Sequence, residues 1–461
     1  MIHIQDPGSS SRRSFLRVGS LGLGSMALGL PDFLRAAQTH PGLLRDRSVV
    51  FLFMHGGPSQ TETFDPKMDM PAEIRSVTGE IPTTLPGVTF GGTFPRLARL
   101  AHRMAVVRSF TTGDGNHDIK PIVGKNSLGA NMGSLYTRIA GTTVPQSGLP
   151  RNVALFPQSV DGACLPAVQQ FGNFSSTGKI GSGFAPFAPG AGGQLQGDMT
   201  LRLTRQRLLE RRGLLDQLDQ VKRHLDSGAL AGTDEFQGQA FDTLLAGIAD
   251  AFDLAKEDPR TLARYDTAPL VNPAGIRTVW KNHERYRDHS QTLGKLMLLA
   301  RRLCERGCGF VTVTTNFVWD MHADVNNATV AEGMDYVGRP FDHAVSAFIE
   351  DVEARGLSEK ILLVCCGEMG RTPKLNKKGG RDHWGRLAPL LIHGGGLRMG
   401  QVIGQSTRDG GEPASDPIGM DSLTATILQR LIDPSQARLM DGLPPELLTT
   451  LSGAAPIRQL L

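Results

Sequence analysis

Short apolar runs that do not alternate with polar residues set the architecture open to this chain. Residues 48–54 read SVVFLFM and stop at Gly56-Gly57-Pro58. Residues 104–107, 152–156, 309–315 and 360–366 are runs of the same kind. A strand with one wet face alternates apolar and polar residues, whereas a strand covered on both faces does not. The runs therefore predict strands of a parallel sheet buried on both sides. A further run at 387–392 contains Pro389, which predicts an edge strand because proline has no N–H for the ladder.

Helical spacing fills the gaps between these runs. Residues 200–226, 236–256 and 283–306 carry charged, amphipathic patterns, and 341–354 lies between two strand runs as the helix of a βαβ unit. Residues 422–431 predict a last short helix. Alternating strands and helices specify an α/β fold, a mostly parallel central sheet with helices on both faces. The stretch 184–193 reads as a linker into the 200–306 block, a helical insert or cap.

The N-terminus has a different character. Arg12-Arg13 opens a charged stretch, Val18–Leu30 is a short glycine-loosened apolar run, and small residues follow at Ala36-Ala37. This order is that of a twin-arginine signal peptide, giving residues 1–36 as signal and 37–461 as one exported, periplasmic or extracytoplasmic domain. The apolar run is shorter than the roughly 20 residues a membrane span needs. Basic residues are scattered and aromatics are 6% of the chain, which argues against a nucleic-acid binder. Five cysteines, an odd number in a long chain, do not form a disulfide framework, although Cys304 and Cys308 have the spacing to meet on a helix. Neither composition nor pattern gives an oligomeric state.

In a parallel sheet, ligands bind beyond the carboxyl ends of the strands, so the residues after each run carry the functional information. His55 follows the first run, and Thr111–Asp118, with His117, follows the second. Asp320 and His322 follow the run at 309–315, Glu368 and Arg371 follow the run at 360–366, and Arg381-Asp382-His383 precedes the run at 387. Histidines and carboxylates collected on one edge are ligands for a divalent metal, zinc or manganese. Asp320, His322, Glu368, His383 and His55 are the candidate ligands. His117 is a candidate ligand, acid or base, and Arg371 or Arg381 a clamp for an anion. Each has a structural counterpart: His55 in a tight turn, Glu368 at a helix dipole or paired with Arg371, and either arginine offsetting buried carboxylate charge.

Several of these motifs also resemble a known family. Trp319-Asp320-Met321-His322, then a helix bearing Asp342, then Gly367–Pro373 and Gly380–Trp384, are similar in order to the C-terminal half of the alkaline phosphatase superfamily, which includes the sulfatases. More narrowly, with Gly56–Ser59, Phe64–Lys67 and Asn116-His117, the mature chain resembles an uncharacterised family of exported bacterial proteins in that superfamily. The resemblance implies an alkaline phosphatase-like fold, a metal held by Asp320, His322 and His383, and an anionic phosphate or sulfate ester as substrate. It also implies gaps. His55 or Gly56 stands where a second metal's aspartate belongs, Glu368-Met369 stands where an Asp-His pair belongs, and 114–124 lacks the sulfatase nucleophile motif. Two functions remain open: a metal-dependent ester hydrolase, or a binding or assembly protein on a degenerate hydrolase scaffold.

Overall fold

The structure, a computed structural model, describes residues 42–145, 147–190, 249–440 and 442–461. The signal segment 1–36 and the helical spacing at 200–226 lie outside the described residues.

The strands in chain order are β1 (Ser48–Phe53), the hairpin pair β2 (Glu80–Pro82) and β3 (Thr89–Gly91), β4 (Ala105–Val107), β5 (Asn152–Leu155), β6 (Phe310–Thr314), β7 (Ile361–Cys366), the short pair β8 (Gly370–Arg371) and β9 (His383–Trp384), β10 (Leu390–Gly394) and β11 (Gln401–Ile403). Seven of them form one sheet in the order β11-β4-β10-β7-β1-β6-β5. β1 pairs in parallel with β6 and β7, β6 with β5, and β11 with β4. Only β10 is reversed, antiparallel to both β4 and β7. The expected mostly parallel sheet is present.

The unbroken apolar runs have the predicted cause. Successive residues of a strand point to opposite faces, and here both faces are covered. Val50 and Leu52 of β1 enter one core, together with Leu293, Leu296 and Met297 of helix His283–Glu305 and Val345 and Phe348 of helix Arg339–Ala354. Val49, Phe51 and Phe53 enter the other, with Leu135 and Ile139 of helix Met132–Ala140 and Leu423, Ile427 and Leu431 of helix Met420–Leu431. Phe51 is fully buried, and its truncation to alanine would cost about 3–5 kcal/mol. The helix Arg339–Ala354 begins with Pro340 in its first turn and ends before Gly356, whose φ of +68° an L side chain rarely adopts. Its Asp342 carboxylate accepts from the N–H groups of Arg96 and Leu97 at 3.1 and 2.8 Å, capping a short helix that has no side-chain cap of its own.

Three expectations need correction or refinement. β10 is an interior strand, not an edge. Pro389 precedes its first paired residue, Leu390, so no ladder bond is lost. Part of the expected linker is ordered against the sheet: the N–H of Phe187 donates to Asn152 O and that of Ala154 to Phe187 O, both at 2.9 Å, covering the outer edge of β5. Residues 249–306 contain no strand among the described residues, and Phe252, Tyr265 and Tyr286 join the first core. All five cysteines are free and buried, so Cys304 and Cys308 are not bridged. No helix among the described residues is long and apolar enough to cross a membrane.

Candidate metal centre

The topology explains why distant residues meet. β1, β4, β6 and β7 all run in one direction, so the segments after them emerge at one edge. Because β10 runs the other way, the segment before it, carrying His383, arrives at that same edge. Asp320, His117 and His383 each present one ligand atom, and these atoms lie within 4.8 Å of one another.

Two glycines allow the close packing. Gly56 has a φ of +113°, and a Cβ there would lie 2.6 Å from the backbone nitrogen of Asp320. A Cβ on Gly380 would lie 2.2 Å from the carbonyl carbon of His322. The turn after β1 and the loop before β9 thus press their backbones directly against the Asp320–His322 segment.

Asp320 is the buried anion at the centre. Its Oδ1 accepts from Arg371 Nη2 at 2.7 Å and lies 3.3 Å from His383 Nε2. Its Oδ2 accepts from Asn327 Nδ2 at 3.0 Å and lies 3.1 Å from His322 Nε2 and 3.3 Å from His117 Nε2. Burial alone would raise its pKa, but the Arg371 charge and the contacts with three histidines hold it well below the usual carboxylate range. For His117 burial pushes the pKa down, and the neighbouring Asp320 and Glu368 outweigh it and raise it.

Two of the three imidazole nitrogens facing Asp320 are poorly served by it. His117 Nε2 and His383 Nε2 are both buried and have no hydrogen-bond partner of acceptable geometry. Orphaned buried polar atoms are rare and call for an explanation. Two imidazole nitrogens and a carboxylate oxygen within 4.8 Å of one another are a suitable donor set for zinc or manganese, so these residues fit a divalent cation. Exposure rises outward, with side chains 4% exposed for Asp320, 10% for His117, 23% for His322 and 35% for His383. The centre therefore opens on the His322–His383 side.

The remaining sequence candidates fall elsewhere. His322 touches Asp320 but is not one of the three residues that gather. Glu368, fully buried, lies behind His117: its Oε1 is 3.0 Å from His117 Nδ1 and accepts from the N–H of Gly56 at 2.9 Å. Arg371 is a buried counter-ion. Besides Asp320, it donates to the carbonyls of Gly57 at 2.7 Å, of Gly56, and of Arg381 at 3.2 Å, which leaves no free fork for a substrate anion. The expected anion clamp at Arg381 is not formed either. Its guanidinium is engaged by Glu62 at 3.0 and 3.1 Å and by the carbonyls of Ile74, Arg75 and Pro373. His55 does not join the ligand group. It stands in an aromatic box of Phe53, Phe171, Phe174 and Phe317, where burial pushes its pKa down to about 4.

Two contributors have no legible mark in the sequence. Asn327 donates to Asp320 and to Asp324 Oδ1 at 3.1 Å, and accepts from Asn282 at 2.8 Å. Phe317 has a φ of +65°, follows Asn316 at +55°, and stacks on Phe171 with ring centres 4.5 Å apart. Both rings pack on His117, at 4.8 and 5.1 Å. Left-handed backbone at a bulky residue is strained and persists only where surrounding contacts impose it. Asn316 supplies such contacts, accepting from the N–H of Val168 at 2.8 Å and donating to Pro166 O at 3.2 Å.

A family model described as Protein of unknown function (DUF1501) matches residues 46–444. The chain belongs to that family. No curated protein matches it significantly. Among solved structures, the PsFucS1 sulfatase from Pseudoalteromonas sp. aligns over 88% of this chain and 72% of its own at 11% identity and a TM-score of 0.34. The phosphonate monoester hydrolase SpPMH from Silicibacter pomeroyi aligns over 89% and 78% at 12% identity and a TM-score of 0.32. These are loose likenesses, and the activities in those names belong to those proteins.

Proposed function

We propose that this protein is a metal-dependent hydrolase of phosphate or sulfate esters, exported through the twin-arginine pathway. The observation that carries the reading is the pair of buried, unpartnered Nε2 atoms of His117 and His383 facing Asp320. Zinc or manganese held there would polarise an ester oxygen and lower the pKa of bound water. Arg371 and Asn327 keep Asp320 ionised and oriented. His322, on the open side, stands where it can exchange a proton with a substrate group. In this reading metal-bound water is the nucleophile. The export signal rests on Arg12-Arg13 and the run that follows.

A second reading has its own support. The Arg371–Asp320 pair at 2.7 Å already compensates the buried charge, as a non-catalytic binding scaffold would require. Hydrolysis of aryl phosphates and aryl sulfates by the purified protein, stripped with chelator and reloaded with zinc or manganese, separates the two. Turnover that disappears on stripping and returns on reloading supports the hydrolase. No turnover with either ester at full metal loading leaves the binding scaffold.

A further inference from the structure

We infer that Glu368 is the positioning residue of this centre, fixing His117 as the tautomer that carries its proton on Nδ1 and turns the Nε2 lone pair toward a cation. The inference rests on the metal reading above and assigns Glu368 a place behind the ligands rather than among them. Glu368 is fully buried, and its contacts are the Gly56 N–H, at 2.9 and 3.2 Å from its two oxygens, and His117 Nδ1 at 3.0 Å. Glu368 already accepts from the Gly56 N–H, and as an acceptor toward His117 as well it makes Nδ1 the donor. A neutral imidazole with its proton on Nδ1 has a lone pair on Nε2. His117 Nε2 lies 3.3 Å from Asp320 Oδ2, and with Nε2 unprotonated a cation between the two would satisfy both.

The geometry leaves His117 little freedom to do otherwise. Phe171 and Phe317 pack on its ring, and His383 stands edge-on with ring centres 4.2 Å apart. Glu368 is itself held by the turn after β1, where Gly56 cannot carry a side chain without striking Asp320. The unit is thus backbone N–H, carboxylate and imidazole, with His117 Nε2 the atom that would hold a cation. Carboxylates behind ligating histidines set their tautomer and basicity, and removing one typically weakens metal binding about 10–100-fold.

The test uses the full chain with ¹⁵N-labelled histidine and two readouts, zinc affinity by chelator competition and the His117 tautomer by NMR. Glu368→Ala should weaken zinc binding about 10–100-fold and release His117 from the Nδ1–H form. Glu368→Gln, whose Oε1 can still accept, should lose much less. In a His117→Gln background, Glu368→Ala should cause no further loss, since the two act as one unit. Unchanged affinity in Glu368→Ala, or an equal loss without His117, overturns the inference. If the wild-type chain binds no zinc, the metal reading fails, and the tautomer decides separately. A His117 Nδ1–H present in the wild type and lost in Glu368→Ala upholds the positioning role, and identical spectra refute it. Should Glu368→Ala not fold, Glu368→Asp, which withdraws the acceptor by one methylene, takes its place in both comparisons.

Discussion

Replacing Arg371 by methionine should destabilise the metal-free protein strongly and the metal-loaded protein much less. Arg371 is buried and, among the described residues, supplies the only full positive charge in contact with Asp320 that does not depend on histidine protonation. Breaking a buried ion pair by removing one partner costs about 3–5 kcal/mol, because the remaining charge is left uncompensated. The upper end applies here, since the carbonyls of Gly56 and Gly57 also lose a donor. With an unfolding entropy of about 2.1 cal/mol/K per residue over roughly 400 residues, the melting temperature should fall by about 4–6 °C. A cation on Asp320 replaces the missing charge. Zinc at about 100 times its Kd contributes roughly 2.7 kcal/mol by mass action alone, and the variant should gain more than the wild type because arginine no longer competes for the carboxylate. The assay is calorimetry of both proteins with chelator and with zinc. Equal melting temperatures without metal, or equal gains on adding zinc, would refute the reasoning.

Arg381→Met should destabilise by a similar amount, because Arg381 and Glu62 are both fully buried and paired at 3.0 Å, yet leave zinc affinity unchanged; a large change in affinity would show that Arg381 acts on the centre after all. Gly56→Ala should weaken zinc binding and lower stability together, since a Cβ 2.6 Å from the Asp320 nitrogen must displace that residue; wild-type values for both would contradict the packing argument. The pH dependence has a definite sign. His289 and His393 are buried and their pKa values are pushed down to about 4 by desolvation, from about 6.5 in the unfolded chain. The unfolded state therefore takes up protons first, and the stability these residues contribute, complete above about pH 6.5, is lost as pH falls toward 4. His55 is shifted in the same way, and Asp342, raised to about 6 by burial, acts in the opposite direction between about pH 6 and 4, one group against three. Urea midpoints that rise steadily from pH 7 to 4.5 would contradict this balance.

The sheet was legible because its strands are buried on both faces, which writes them as apolar runs such as 48–54 and 360–366. The position of β10 was not, because Pro389 carries the same signal just outside a strand as inside an edge strand. That residues after strand ends would be neighbours could be inferred from direction alone; of the expected ligands Asp320 and His383 gather, His117 joins them, and His322 and Glu368 touch the group without being part of it. The division of labour among the other candidates could not. Glu368, Arg371 and Arg381 are charged residues in adjacent loops, and only their partners separate a histidine buttress from a carboxylate counter-ion and from a distant structural pair. Asn327 reads as one of several polar loop residues, and nothing in its neighbours predicts the hydrogen bond to Asp320. The left-handed backbone at Phe317 has no sequence signal at all, because phenylalanine is a residue that conformation disfavours.

The central claim is that Asp320, His117 and His383 hold one divalent cation, and the most direct measurement is the metal content of the purified full chain together with an anomalous difference map at its crystal structure's candidate centre. The account predicts roughly one zinc or manganese per chain, a single anomalous peak between Asp320 and the two Nε2 atoms, and loss of both in His383→Ala. A chain that takes up no metal at saturating zinc or manganese, or one whose metal content and peak are unchanged in His383→Ala, would contradict it.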